Sequence, residues 1–220
     1  MYNIDDFTMY GLYEDVYPPS EDSYLTVDAA TQTITNEKIL KITRLKYHRA
    51  NLVEVGSGTG VVTILVLKEF KKITRNLYAI ATDIKYTAAK CTYENIRKNN
   101  LDSMCDVVQT DTLSCIKNRF TVHILISNPP YLPCEDEIEP NYCGGADGRL
   151  VIDKVLHEFR ERAFILILTQ SSLSDVSKTV KRLMDCADVI LLRKLHMLFE
   201  DIVTLLAIRL VPHRNHTINH

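Results

Sequence analysis

Short apolar runs alternate along the chain with longer segments whose apolar residues recur every three or four positions. The runs 51–55, 77–82, 105–110, 122–126 and 163–168 are largely apolar with β-branched residues in most, and predict strands. Segments 61–72, 88–100, 150–162 and 174–186 carry helical spacing between them, with Lys68, Lys71 and Lys72 at the end of the first. Ser20 before Glu21 and Asp22 predicts a helix N-cap with acids in the first turn. Tyr24, Leu25, Val27 and Ala29 give that helix an apolar face, which runs towards Leu45 with an interruption at 31–36.

Strands alternating with helices of this length predict a parallel, doubly wound α/β sheet. Two last strands, 189–192 and 202–210, are joined by too few residues for a crossover helix, which predicts an antiparallel hairpin at one side of the sheet. Residues 1–19, with Tyr2, Tyr10, Tyr13 and Tyr17, show no period and are expected to form an extended arm. Residues 211–220 form a polar tail, where His213, His216 and His220 are expected to fray and not to hold a metal. No repeat or linker divides the chain, so 1–220 is expected to be a single domain.

With 220 residues the chain has the length of one large α/β domain. A net charge of −2 supplies no broad basic field and argues against nucleic acid as a partner. None of the six cysteines, Cys91, Cys105, Cys115, Cys134, Cys143 and Cys186, forms a Cys-x-x-Cys pair, and residues 1–5 show no secretory signal. All six are therefore expected to be reduced thiols of a soluble cytoplasmic protein, with the nucleus left open. The apolar stretch 61–67 is too short to span a bilayer, and no membrane role is expected.

The candidate chemistry sits at the strand ends. Gly56-Ser57-Gly58-Thr59-Gly60 follows the first strand and allows a tight turn and close backbone approach to a ligand. Glu54 would repel a pyrophosphate there, which suits instead a cofactor with positive charge. S-adenosylmethionine, with an ammonium, a sulfonium and no phosphate, fits that requirement. Asp83, ending the second strand, is placed to accept hydrogen bonds from ribose hydroxyls or else to cap the next helix. Asp111 and Thr112 offer the same choice between an adenine amino group and a cap.

Asn128 ends the fourth strand, because Pro129 and Pro130 lack ladder donors. The fourth strand of a doubly wound sheet lies beside the first, so Asn128 would face the cofactor's methyl group across the crevice. Its side-chain oxygen and a proline-restrained carbonyl can both accept from a planar –NH2 group, while Tyr131 stacks on that group. Methyl transfer then rests on positioning and electrostatics more than on a base. A turn without chemistry is the competing reading of 128–131, and the agreement of three strand ends weighs against it.

Asn128-Pro129-Pro130-Tyr131, together with Glu54-Val55-Gly56-Ser57-Gly58-Thr59-Gly60, resembles the class I S-adenosylmethionine-dependent methyltransferases that modify amide or exocyclic amino nitrogens. Tyr17-Pro18-Pro19-Ser20-Glu21-Asp22-Ser23 matches the signature of the HemK-type glutamine methyltransferases in their short eukaryotic and archaeal branch. Thr82-Asp83-Ile84, Thr110-Asp111 and Gly144-Gly145-Ala146-Asp147-Gly148-Arg149 align with it too, and the likeness runs from about Tyr17 to Leu210.

The resemblance implies a Rossmann-like, mostly parallel seven-stranded sheet with an antiparallel last strand and helices on both faces. It implies that Ser23, Glu54, Gly56, Gly58, Asp83, Asp111, Thr112 and Asn128 line the cofactor site. Asn128, Pro129, Pro130 and Tyr131 would hold the substrate, with Asn128, Pro129 and Tyr131 catalytic. The implied reaction is N5-methylation of the glutamine in the Gly-Gly-Gln motif of a class I translation termination factor, with a small zinc-binding activator as partner.

Three departures qualify it. The helical N-terminal domain of bacterial members has no counterpart here, so substrate docking is expected to use something else. Thr112 stands where an apolar residue is common. Loop 132–149 is acidic, which suits a basic protein and disfavours a phosphate backbone. Run 105–110, with Val107 and Val108, is expected to be an exposed sheet edge on which the activator docks. Adenine-N6 methylation of nucleic acid, lysine methylation and a silent scaffold remain as alternatives.

Overall fold

The computed structural model describes residues 13–42, 50–72, 77–135 and 141–209. Strands β1 (Ala50–Val55), β2 (Leu77–Asp83), β3 (Cys105–Gln109), β4 (Val122–Ser127), β5 (Ala163–Ser171), β6 (Ala187–His196) and β7 (Asp201–Arg209) form one sheet. Its order is β3-β2-β1-β4-β5-β7-β6. The first five are parallel, and β7 inserts antiparallel between β5 and β6. Helices α1 (Glu21–Thr35), α2 (Glu37–Ile42), α3 (Val61–Lys71), α4 (Tyr86–Lys98), α5 (Leu150–Arg162) and α6 (Val176–Met184), with a short 3-10 helix at Ser172–Ser174, complete the described elements.

Pleating sends alternate residues of each strand to opposite faces. Leu52 and Ile124 join α1, α3 and α4 in one buried cluster, whereas Val53, Val55 and Leu125 join α5 and α6 in the other. The expected helices on both faces follow from strands that are apolar on both sides.

Several expected boundaries move. The 31–36 interruption narrows to its last residue: α1 continues through Thr35, where Thr33 and Thr35 donate their hydroxyls to the carbonyls of Ala29 and Thr31, both at 2.8 Å, and the extended Asn36 separates it from α2. Its buried face is built from Thr26, Val27, Ala30 and Ile34, with Tyr24 and Leu25 only half buried. The Thr26 hydroxyl meets that of Thr169 at 2.7 Å, and Thr169 meets Thr204 at 2.8 Å, tying the helix to β5 and β7. The final hairpin is longer than its hydropathy indicates. β6 lies at the sheet edge with mostly exposed or half-buried residues, so only residues 197–200 connect the two strands.

The expected arm is a docked segment over its described part. Tyr13 to Val16 form a turn, Val16 is buried against Ala88 and Cys91, and the Tyr13 hydroxyl lies 3.2 Å from Glu94. Residues 1–12, the stretch from 43 towards Leu45, and the histidine tail lie outside the described residues.

The cysteine expectation is corrected. Cys134 and Cys143 form a disulfide with Cα atoms 5.5 Å apart, while Cys91, Cys105, Cys115 and Cys186 take part in no disulfide among the described residues. Backbone pairing brings the two together: Leu132 N donates to Tyr142 O, and Gly144 N to Leu132 O. Pairing of this kind leaves no spacing motif in the sequence. Among the described residues no helix is long and apolar enough to cross a membrane, and no three His, Cys, Asp or Glu side chains cluster as metal ligands.

Candidate functional site

A pocket of ≈ 740 Å³ opens at the carboxyl ends of β1, β2 and β4, where the chain's direction of winding reverses. The glycine turn after β1 is laced to β2, with Gly56 N and Ser57 N donating to Thr82 O at 2.9 and 3.0 Å. Gly58 adopts a left-handed φ of 54°, and its N–H donates to Asp83 Oδ2 at 2.9 Å. A Cβ built at Gly56 or Gly58 would meet nothing within 4 Å, so both glycines leave open the space in front of them.

Glu54 and Asp83 bring two buried carboxylates to this pocket. Burial pushes the Glu54 carboxyl up to about 8, against the two bonds it accepts from Thr63. Asp83 is also raised by burial, partly offset by bonds from the Gly58 and Lys85 amides. Lys85 N reaches Asp83 Oδ1 at 3.0 Å, and helix α4 starts only beyond Lys85. The lysines on the wall are engaged within it: Lys85 Nζ donates to Asn141 Oδ1 at 2.6 Å, and Lys154 to Asp111 at 2.6 Å.

Asp111 and Thr112 both line the pocket, and each side chain has a protein partner there. Asp111 is paired with Lys154, and the Thr112 hydroxyl donates to Glu158 Oε1 at 3.3 Å. No helix follows β3 for either to cap; Thr112 instead takes φ 50°, a conformation rare for a β-branched residue. Ser23 lines the same pocket from α1, its hydroxyl 3.4 Å from the Ser20 amide in a capping box.

Asn128 and Pro130 stand between this pocket and a second cleft of ≈ 170 Å³, lining both. Pro129 and Tyr131 line only the second. The Asn128 amide is held by Asp22, a residue not expected at the site: Nδ2 donates to Asp22 Oδ2 at 2.9 Å. The Tyr131 hydroxyl donates to the same oxygen at 2.9 Å. Asp22 Oδ1 accepts from the Tyr17 hydroxyl at 3.0 Å and from Ser23 N at 2.7 Å. Burial and the Asp22 charge lift both phenols well above the usual tyrosine range.

An ionised carboxylate only accepts, so Asp22 determines which end of the Asn128 amide faces it. Oδ1 must point the other way, and it is buried without a partner among the described residues. A buried carbonyl oxygen with no donor costs roughly 1–3 kcal/mol until one arrives. The site therefore holds a fixed acceptor awaiting an N–H.

The motif at 144–149 supports this wall from behind. A Cβ at Gly144 would lie 2.7 Å from Pro130 O, and one at Gly148 would lie 2.3 Å from Tyr131 O. Arg149 is buried and donates to Ser174 O, Asp175 O and the Thr179 hydroxyl, fixing the motif to α6. The signature 17–23 carried Asp22 in the sequence, but nothing there linked it to Asn128.

Open space before the glycines and two buried acids, which a bound cation would draw into their ionised forms, fit a group that is cationic and carries no phosphate. S-adenosylmethionine meets that description, with Glu54, Gly56, Gly58 and Asp83 as the residues that would hold it.

The methyltransferase small-domain family matches residues 23–139. Methyltransferase HEMK2 of Mus musculus is 30% identical over 185 residues, covering 78% of this chain and 80% of that protein. Its Homo sapiens counterpart is 32% identical over 152 residues, 66% of this chain and 64% of its own length, so the chain spans just under two thirds of it. The eRF1 methyltransferase catalytic subunit mtq2 of Schizosaccharomyces pombe is 30% identical over 164 residues, 68% of each chain. Among solved structures, the Mtq2-Trm112 complex of E. cuniculi, responsible for methylation of the eRF1 translation termination factor, superposes with a TM-score of 0.60. It covers 89% of this chain and 99% of its own at 23% identity, a likeness of fold.

Proposed function

The chain belongs to the methyltransferase small-domain family, and from that premise we propose that it methylates the side-chain amide nitrogen of a glutamine in a class I translation termination factor, within the Gly-Gly-Gln motif. The observation that carries the reading is the orphan Asn128 Oδ1, held by Asp22 as an acceptor in the wall between two clefts. The names of the fission yeast relative and of the E. cuniculi complex support the choice of substrate.

S-adenosylmethionine, when bound, supplies the electrophilic methyl group. Glu54 and Asp83 hold the cationic and hydroxyl-bearing ends of the larger pocket, with Ser23, Gly56, Gly58, Asp111 and Thr112 around them. A glutamine amide enters from the smaller cleft and donates one N–H to Asn128 Oδ1 and the other to the Pro129 carbonyl. With both protons drawn towards acceptors, the nitrogen gains electron density and is aimed at the larger pocket. As its bond to the methyl forms the methyl–sulfur bond breaks, the sulfur keeps that electron pair as a neutral thioether, and the nitrogen sheds one proton to solvent. Tyr131, anchored through its hydroxyl, presents its ring to the amide plane. No residue acts as a strong base; rate comes from orientation and fixed dipoles.

The reading includes a small zinc-binding activator that docks at β3, and the two-protein Mtq2-Trm112 complex of E. cuniculi supports the presence of a partner. That strand is a free sheet edge with Val107 and Val108 half buried, beside a groove lined by Ile80, Ile116 and Phe120. The assembly works in the cytoplasm, with the nucleus left open. The test incubates the protein and activator with labelled S-adenosylmethionine and a termination factor or its glutamine-to-asparagine variant. Label on the first and none on the second is expected, and equal labelling of the two contradicts the reading.

A further inference from the structure

The smaller cleft contains an acceptor that the methyl-transfer reading leaves unused. Glu200, in the connection between β6 and β7, lines that cleft with its Oε2 shielded from solvent and without a partner among the described residues. Its backbone carbonyl accepts from Met197 N at 2.8 Å, which closes the turn and places Met197 and Glu200 on the same wall. Glu21 and Asp22 also line the cleft, and among the described residues no lysine or arginine does. Lys194 and His196, nearby basic side chains of the hairpin, are committed to Asp201 at 2.8 and 2.5 Å.

The same turn exposes two large apolar side chains. Leu198 is 94% and Phe199 90% exposed, and they follow Met197 directly at the rim. Apolar exposure continuous with an active cleft marks a surface that a macromolecular substrate covers.

We propose that the turn at 197–200 is a substrate-docking lip that selects glutamines flanked by a basic residue. Glu200 accepts from a Lys or Arg side chain near the target amide, and Leu198 and Phe199 are covered by the same protein. Charge supports a cation over a backbone amide here: three carboxylates surround the cleft, and a buried carboxylate oxygen gains most from a charged donor. The inference rests on the glutamine reading, whose cofactor pocket and Asn128 it leaves untouched.

The test is a double-substitution cycle on methyl transfer by the protein–activator complex. Each Lys or Arg within three residues of the target glutamine of the termination factor is changed singly to Gln, and each factor is assayed with wild-type enzyme and with Glu200→Gln. One basic residue is expected to matter, its loss raising KM at least tenfold with wild type and changing little with Glu200→Gln. Glu200→Lys with the corresponding basic-to-Glu factor is expected to recover part of the lost kcat/KM, and Leu198→Ser with Phe199→Ser to raise KM with kcat nearly unchanged. Unaltered KM for Glu200→Gln, or strictly additive effects across the cycle, overturns the docking lip while leaving the glutamine reading intact. No label on any factor with the wild-type complex overturns the glutamine reading and the lip with it.

Discussion

The Asn128 side-chain amide donates to Asp22 Oδ2 at 2.9 Å, across 106 residues of sequence. Asp22 also accepts from the Tyr131 and Tyr17 hydroxyls, so one carboxylate at the start of α1 aligns three groups along the smaller cleft. The bond leaves Asn128 Oδ1 as a buried acceptor without a partner among the described residues, the one the proposed reading turns towards the substrate.

Asp22→Asn replaces an acceptor-only group with one that can face Asn128 either way. Turnover should fall by about 10- to 100-fold, the scale on which small misplacement of a reacting group acts. Affinity for S-adenosylmethionine, measured by titration calorimetry, should change far less, because Asp22 does not line the larger pocket. A matching loss in both would place Asp22 in cofactor binding instead.

Two glycine substitutions should separate support from binding. Gly148→Ala puts a methyl 2.3 Å from Tyr131 O at a φ of 69°, so the backbone of the wall must shift. Thermal unfolding should report a loss of about 1–3 kcal/mol, with activity lost alongside. Gly58→Ala has free space for its methyl, at a φ of 54° that itself costs about 1–2 kcal/mol. Its added methyl enters the larger pocket, so cofactor affinity should suffer more than stability does.

Glu54 predicts a pH dependence. Its folded carboxyl titrates at about 8 against 4.5 in the unfolded chain, so the folded state binds the proton more tightly. The associated stability is complete below pH 4.5 and is lost as pH rises through about 8. The melting temperature of wild type relative to Glu54→Gln should therefore fall between pH 5 and 8. A difference that stays flat across this window would mean that Glu54 keeps an ordinary carboxyl pKa.

Backbone amides of residues 105–109 should exchange more slowly with deuterated solvent once the activator is bound, since β3 is the open edge beyond β2. Unchanged exchange there would move the docking surface elsewhere.

The sheet was legible wherever strands are apolar on both faces, as in 51–55 and 122–126, because burial on two sides leaves an unbroken hydrophobic run. Edge strand β6 was underestimated for the converse reason, since its mostly exposed or half-buried residues blur the period. The 31–36 interruption shrinks to Asn36, because threonine hydroxyls can bond back along a helix and carry α1 to Thr35, which propensity alone does not reveal. Glu54, Asp83 and Asn128 were found because strand ends at the switch point are where a doubly wound sheet gathers its side chains. Asp22 and Glu200 reach the site through contacts between distant segments, and the Cys134–Cys143 pairing arises from backbone bonds within one loop; no spacing motif in the chain encodes any of them.

The most direct measurement is the single-turnover rate of methyl transfer by Asn128→Ala, alongside its affinity for S-adenosylmethionine. Removing the fixed acceptor should slow transfer by about 10²–10³-fold, the usual cost of losing one preorganised polar contact to a reacting group, with cofactor affinity little changed. A rate equal to wild type would contradict the assignment of Asn128 Oδ1 as the group that aims the substrate nitrogen.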